Sequence, residues 1–320
     1  MQFDGGDETT RRTVLKSGAA TAGLLAAGSL SGCSSIPFLG GGAGYTEWVP
    51  APAEYKDTES LTFGYSNPKT IADNEDNFDE DTYENYEQQE IRNIGVDFDE
   101  MTFRLGTGEY AVVDGDYEES DVVDELESDG EETSEFEEDG EEGEFTIYVP
   151  VDSGDTVPLA FAVNGTRVVR GTNLSSAPVG LTPKGDTDAV GVLETVIDTQ
   201  AGNTARFTDE SEGFSILTDE LGETTLVSGQ FRGEAIEDGN PEAGSFEGAL
   251  GGGVAITVNG EQSDVKFVTV FENEGDADQG DLEDYVDESL DDQYDPNGEP
   301  SYDTGGRTGI IEFTFDTDEL

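Results

Sequence analysis

Few side chains in this sequence are suited to act as nucleophiles, general bases or soft metal ligands. The chain has one cysteine, Cys33, and no histidine, against 75 aspartates and glutamates. Because histidine is the usual general base and a common zinc ligand, its absence excludes a Ser-His-Asp triad and a histidine-bound metal. A single cysteine excludes an intramolecular disulfide and a metal site built from thiolates. Carboxylates and one thiol are the groups that remain for chemistry.

The carboxylates show no spacing that selects a site. Residues 73–77 place side-chain oxygens as an EF-hand calcium loop does, but Phe78 stands where that loop requires glycine. Asp276 and Asp278 precede Gly280, which comes one position too early for the same pattern. Two facing carboxylates would suit glycoside hydrolysis, yet nothing in the sequence singles out a pair. We assign no catalytic, cofactor-binding or metal-binding residue, and leave open calcium binding by an irregular acidic cluster.

Two asparagines lie in the acceptor pattern for N-glycosylation. They are Asn164, in Asn-Gly-Thr, and Asn173, in Asn-Leu-Ser. Asn164 and Gly165 form the pair that favours a tight β-hairpin turn, which would hide Asn164 from a transferase. Asn173, expected in a loop, is the better candidate.

Residues 10–33 have the pattern of an export signal. Arg11 and Arg12 precede a weakly apolar stretch, 17–32, that is rich in alanine and glycine and too short to span a bilayer. The stretch ends in small residues directly before Cys33. A basic region, a short apolar region and a small-residue cleavage site are typical of a secretory signal peptide. We therefore predict that residues 1–32 are removed.

The arginine pair resembles a twin-arginine export signal, and the segment 30–33, Leu-Ser-Gly-Cys, resembles a lipoprotein box. Val14 departs from the export pattern, which usually has phenylalanine there. The resemblance implies that the twin-arginine export machinery recognises Arg11 and Arg12, and that Cys33 carries a thioether-linked lipid. One lipid chain binds a membrane only marginally, so two chains are the expected anchor. Residues 33–44, rich in glycine, are predicted to form a flexible tether.

The acidic composition indicates a protein adapted to high salt. Acids outnumber the 14 basic residues so far that the net charge is −61, which excludes electrostatic binding to nucleic acid. The apolar residues nevertheless gather in short alternating runs, as in a folded chain. Molar salt shortens the Debye length to about 3 Å and screens repulsion between surface acids. Together with the N-terminal motifs, this acidity resembles the uncharacterised exported lipoproteins of haloarchaea.

Residue patterning predicts an α+β fold with antiparallel-rich sheets and a few amphipathic helices. Alternating apolar residues predict strands at 61–65, 101–105, 110–113, 145–149, 158–163, 166–169, 225–231, 254–258, 265–271 and 309–315. Helical periodicity predicts helices at 79–93, 120–130, 189–202, 211–222 and from 281 onwards. Ser120 and Ser211 are expected to open two of them. The glycine run 248–253 is interpreted as a turn or bulge.

The domain organisation has two interpretations. Glu109–Tyr117 and Thr224–Phe231 resemble each other, which favours two related α+β modules at 45–172 and 187–320. The first module would contain a disordered acidic loop at 127–144. A single domain over 45–320 is the alternative.

These observations predict a lipid-anchored protein on the extracytoplasmic face of the membrane. It contacts membrane lipid through Cys33 and has a binding or envelope role without enzymatic activity. One alternative is a solute-binding lipoprotein of a transporter, which a deep cleft between lobes would favour. The other is a secreted hydrolase that uses carboxylates, which two buried acids facing each other across a pocket would favour.

Overall fold

The computed structural model of the protein describes residues 43–320 without positions 57, 89–93, 129–134, 152–156, 173–187, 291–293 and 295. Its strands are β1 (Leu61–Ser66), β2 (Met101–Thr107), β3 (Tyr110–Gly115), β4 (Phe136–Glu142), β5 (Phe145–Pro150), β6 (Leu159–Asn164), β7 (Arg167–Thr172), β8 (Leu226–Phe231), β9 (Ala249–Asn259), β10 (Gln262–Phe271), β11 (Ser301–Asp303) and β12 (Thr308–Asp316). Its α-helices are α1 (Pro68–Ala72), α2 (Glu80–Glu87), α3 (Glu119–Leu126), α4 (Ala189–Ala201), α5 (Phe207–Glu210), α6 (Glu212–Leu221) and α7 (Gln279–Tyr285). The 3₁₀ helices Gly44–Trp48 and Pro52–Glu54 precede β1, and a π-helical turn, Val286–Leu290, follows α7.

All the described strands join one antiparallel sheet, in the order β11-β12-β10-β9-β8-β1-β2-β3-β7-β6-β5-β4. The predicted α+β class with antiparallel pairing is confirmed. β1 lies at the centre, where it pairs with β2 on one side and with β8 over its full length on the other. The segments 45–172 and 187–320 therefore contribute to the same sheet, and their division into two modules stays a prediction.

The two faces of the sheet are covered differently. α4, α5, α6 and residues 43–56 pack on what we call the front face, where one apolar cluster spans both halves of the sheet. The back face carries two separate clusters. One, built on β9, β10 and β12, packs with α1 and α7; the other, on β3, β5, β6 and β7, packs with α3.

Local sequence explains how the front-face helices begin and end. The side chain of Asp188 accepts a hydrogen bond from Gly191 N–H and opens α4, and Gly202 closes it with a left-handed φ of 78°. Ser211 opens α6 as expected, since its hydroxyl accepts from Phe214 N–H at 3.2 Å. Phe214 then stacks on Phe207 of α5 with ring centroids 4.4 Å apart.

Glycines let α6 and the aromatic side chains approach the sheet closely. A Cβ on Gly253 would lie 2.7 Å from Leu221 Cδ1, and one on Gly229 would lie 2.6 Å from the Phe63 ring. The run 248–253 was interpreted as a turn or bulge, and this was wrong for most of its length. β9 runs through it from Ala249, with a register irregularity only where Ala249 meets Phe271. The missing side chain at Gly253 leaves room for Leu221 of α6.

Four further boundaries differ from the sequence-based expectations. The acidic segment 127–144 contains a strand, β4, because it pairs with β5 and buries Phe136. Ser120 lies inside α3, which begins at Glu119 with Glu118 at the N-cap position. Ala43 and Gly44, assigned to the tether, are instead part of the packed structure. The hairpin at Asn164 is shifted by one residue, as described below.

Candidate functional site

Most of the residues singled out from the sequence lie outside the described part of the chain. This is the case for Arg11, Arg12, Cys33 and Asn173. Asn164 is the last residue of β6 and pairs with Arg167, so that Gly165 and Thr166 form the two-residue turn. Asn164 is only partly exposed, consistent with the expectation that this turn restricts access to it.

The start of the described chain is attached firmly to the front face. Gly44 N–H donates to Glu223 Oε2 at 2.8 Å. Tyr45 is fully buried and stacks between Phe63 and Tyr65, with ring centroids 5.9 and 5.2 Å away. The first described residues are therefore packed on the sheet.

An acidic cleft of about 540 Å³ opens between β4 and the first turns of α4. Asp139, the extra residue of a β-bulge in β4, lines it together with Asp188 and Glu194. Partial burial and then the nearby charge of Glu142 raise the pKa of Glu194. Asp139 and Glu194 are exposed, and Asp188 already accepts from Gly191 N–H at 3.2 Å. The cleft therefore does not have the buried carboxylate pair that would favour a hydrolase.

One fully buried ion pair joins the segment before β1 to the β2–β3 turn. Lys56 Nζ donates to Glu109 Oε1 at 2.7 Å, and both side chains are 3% exposed. Glu109 is the one acid that is buried among the described residues. Because Lys56 neutralises it, this carboxylate is committed to structure and is not available as an acid or base.

Three tyrosine hydroxyls are buried near this ion pair and near Tyr65. Those of Tyr45, Tyr55 and Tyr110 have no hydrogen-bond partner among the described residues. Tyr55 and Tyr110 meet edge to face with centroids 6.3 Å apart. Burial raises the pKa of all three phenols, so they remain neutral at any physiological pH. The three hydroxyl groups are thus polar atoms buried within the front-face apolar cluster.

The back face has a strip of small residues that joins its two apolar clusters. We call this the central strip; it consists of Gly64, Ser66, Gly106, Ala111 and Ser228, which the strand register places on one face. A Cβ on Gly106 would meet no described atom within 4 Å, and one on Gly64 would come no closer than 3.8 Å to Val227 O. Side chains added at Gly106 and Gly64 would therefore not clash with any described atom.

Two arginines border the central strip. The register places Arg104 opposite Val113 and Arg170 opposite Ala111, so both side chains leave the sheet on the back face. Both are half-buried, and Arg170 Nε is buried without a hydrogen-bond partner among the described residues. Burial and then the charge of Arg170 lower the pKa of Arg104 to about 10, and burial also lowers that of Arg170.

Sequence reasoning missed the arginine pair, because neither position belongs to a spacing motif. Four of the 14 basic residues lie in strands: Arg104, Arg167, Arg170 and Lys266. Arg167 and Lys266 form ion pairs with Asp114 and Glu220, so a base inside a strand does not by itself mark a site.

Within the described ranges, no group of three or more His, Cys, Asp or Glu side chains is arranged to hold a metal ion. None of the helices described here is both long and apolar enough to cross a membrane.

No protein-family model and no curated protein matches the chain. Among solved structures, crystal form III of TP0453 aligns with a TM-score of 0.44 and 10% identity, covering 85% of this chain and 95% of that one. Crystal form I of TP0453 aligns with a TM-score of 0.43 and 14% identity, over 85% and 94% of the two chains. Similarity at this level carries no inference about function.

Proposed function

We propose that this chain is a lipid-anchored protein of the extracytoplasmic membrane face that acts by binding and not by catalysis. The motifs at Arg11, Arg12 and Cys33 support the location. The carboxylates support binding over catalysis, since the one acid buried in the described part of the chain is neutralised by Lys56 and the acids of the cleft are exposed or used in capping.

The observation that carries the proposal is the short spacing between the thiol and the packed structure. Cys33 precedes Ala43 by ten residues, and Gly44 and Tyr45 are already anchored on the sheet. Ten extended residues reach at most about 35 Å. A lipid on Cys33 would therefore keep the sheet next to the membrane surface, where a displayed binding face is useful.

Replacement of the thiol tests this proposal. The full-length Cys33→Ser variant, expressed in a haloarchaeal host, should leave the membrane fraction, and its exported form should appear in the medium. Ser35→Ala, two residues away, is the matched control and should remain with the membrane. Intact mass measurement of the membrane-bound wild type should show cleavage before Cys33 and an added lipid. A Cys33→Ser protein that stays membrane-bound after a high-salt wash would contradict the proposal.

A further inference from the structure

Two of the buried tyrosines lie beside the Lys56–Glu109 ion pair. Tyr55 directly precedes Lys56, and Tyr110 directly follows Glu109. Lys56 Nζ lies 2.7 Å from Glu109 Oε1, and the rings of the two tyrosines meet at 79° with centroids 6.3 Å apart. Lys56 Nζ is also 5.3 Å from the centre of the Tyr55 ring. Four polar side chains from two distant segments therefore converge in the interior of the protein.

The two phenol hydroxyls at this point lack hydrogen-bond partners. Tyr55 and Tyr110 are 1% and 0% exposed, and neither hydroxyl has a donor or acceptor among the described residues. Burial is the main cause that raises the pKa of both phenols, and the charge of Glu109 adds to it in each, so both hydroxyls lie within electrostatic reach of one carboxylate. Leaving a buried hydroxyl without a partner costs more than a hydrogen bond contributes. Folded proteins therefore supply a partner to such groups, from the chain or from ordered water.

We propose that a buried water molecule bridges the hydroxyls of Tyr55 and Tyr110 beside the Lys56–Glu109 pair. A buried water makes about three hydrogen bonds to polar groups that would otherwise be unsatisfied. The two hydroxyls supply two of these. The ammonium of Lys56 has three N–H donors, one of which goes to Glu109 Oε1, and it can supply the third.

The packing of the two rings is consistent with a group held between their hydroxyl ends. Aromatic pairs have centroids about 4.5–7 Å apart, and the 6.3 Å between Tyr55 and Tyr110 lies towards the wide end of that range. Phe207 and Phe214, in the same apolar cluster, stack at 4.4 Å. The water would also solvate an ion pair that burial removes from bulk solvent. It would thus be a second polar link between the segment before β1 and the start of β3.

Replacement of tyrosine by phenylalanine tests the proposal, because it removes the hydroxyl and keeps the ring. In urea unfolding of the full chain in molar KCl, Tyr55→Phe and Tyr110→Phe should each lower the folded-to-unfolded ratio about fivefold, as expected for loss of one hydrogen bond. The double variant should lose less than the two effects multiplied, because both replacements break the same bridge. Tyr45→Phe, at a buried hydroxyl whose ring stacks on Phe63 and Tyr65 instead, is the matched control. Its effect should multiply fully with that of Tyr55→Phe.

A high-resolution crystal structure provides a readout that needs no variant. It should show a water oxygen within hydrogen-bond distance, about 2.5–3.0 Å, of both hydroxyls. The proposal is overturned if no water lies there, or if Tyr55→Phe and Tyr110→Phe leave stability unchanged or raise it, as removal of a hydroxyl without any partner would. It is equally overturned if their effects multiply as fully as those of Tyr45→Phe and Tyr55→Phe. These measurements do not depend on membrane location, so their failure would leave the proposed function unaffected.

Discussion

Lys56 Nζ lies 2.7 Å from Glu109 Oε1 in an environment where both side chains are 3% exposed. The two residues are 53 positions apart, so the pair ties the segment before β1 to the β2–β3 turn. Removing one member of a buried pair leaves the other as an uncompensated charge, which typically costs more than the pair itself contributes.

We therefore expect Lys56→Met to lower the free energy of unfolding by about 3–5 kcal/mol. The double variant with Glu109→Met should be clearly more stable than Lys56→Met, because no buried charge is left. Urea unfolding in molar KCl, followed by Trp48 emission, measures both. The control is Lys266→Met, which breaks a surface pair with Glu220 at 3.0 Å and should cost less than about 1 kcal/mol. Equal losses at Lys56 and Lys266 would contradict this account.

The contact of α6 with β9 makes a second prediction. A Cβ on Gly253 would lie 2.7 Å from Leu221 Cδ1 and 2.8 Å from Ser228 O, so Gly253→Ala must displace the helix or the strand. We expect a loss of about 1–3 kcal/mol in unfolding free energy. Gly106→Ala, on the central strip, should change it by no more than about 0.5 kcal/mol. Thermal melts of the two variants make the comparison, and a well-tolerated Gly253→Ala would be inconsistent with the close packing.

The buried phenols predict a loss of stability in alkali. Burial raises the pKa of Tyr45, Tyr55 and Tyr110 above the value of about 10 for free tyrosine. The unfolded chain therefore loses these protons first, and their contribution to stability is complete below about pH 10 and falls as the pH rises further. Urea unfolding across this range should show the decline, with phenolate absorbance rising on unfolding. Tyr55→Phe should reduce the slope; an unchanged slope would assign the decline to other groups.

Much of the fold was predictable because alternation and caps are local signals. The strand at Leu61, the cap at Ser211 and the stop at Gly202 each follow from a few neighbouring residues. β4 was missed because its single core residue, Phe136, gives no alternation, and its pairing with β5 supplies what its own sequence lacks. The strand through Gly251 and Gly253 was missed because the groups that crowd these glycines, Phe231 of β8 and Leu221 of α6, lie elsewhere in the chain. The arginine pair becomes visible only when register places β2 and β7 on either side of β3.

The fourth prediction concerns salt. Acids exceed bases by 61, and at low ionic strength, about 0.01 M, the Debye length of about 30 Å lets them repel one another across the molecule. We expect dialysis from molar KCl to tens of millimolar to unfold the chain reversibly. Trp48 is 5% exposed and meets Phe145 edge to face, so its emission should shift to longer wavelength as circular dichroism is lost. A cooperative melt that is unchanged at low salt would contradict the salt-adapted interpretation of the composition.

The fifth prediction concerns export. Replacing Arg11 and Arg12 with lysine keeps the charge of the N-terminal region but removes the arginine pair, so unprocessed precursor should accumulate inside the cell. Lys16→Arg, in the same basic region, should be exported normally. Fractionation with detection of precursor and mature masses distinguishes these outcomes. Normal surface display of the double variant would mean that the pair is not the export signal.

The acidic strand β4, at one edge of the sheet, affects how two copies of the protein can meet. β4 is a terminal strand, and an unpaired strand edge invites lateral addition of another chain. Here the edge is lined by Glu137, Glu138, Glu141 and Glu142, all but the last exposed. Two copies that docked edge to edge would bring these carboxylates within one strand spacing, about 4.8 Å, and strip them of water. If the proposed lipid anchor confines copies of this chain to a membrane, where local density is high, this edge would let them collide repeatedly without polymerising into a fibre.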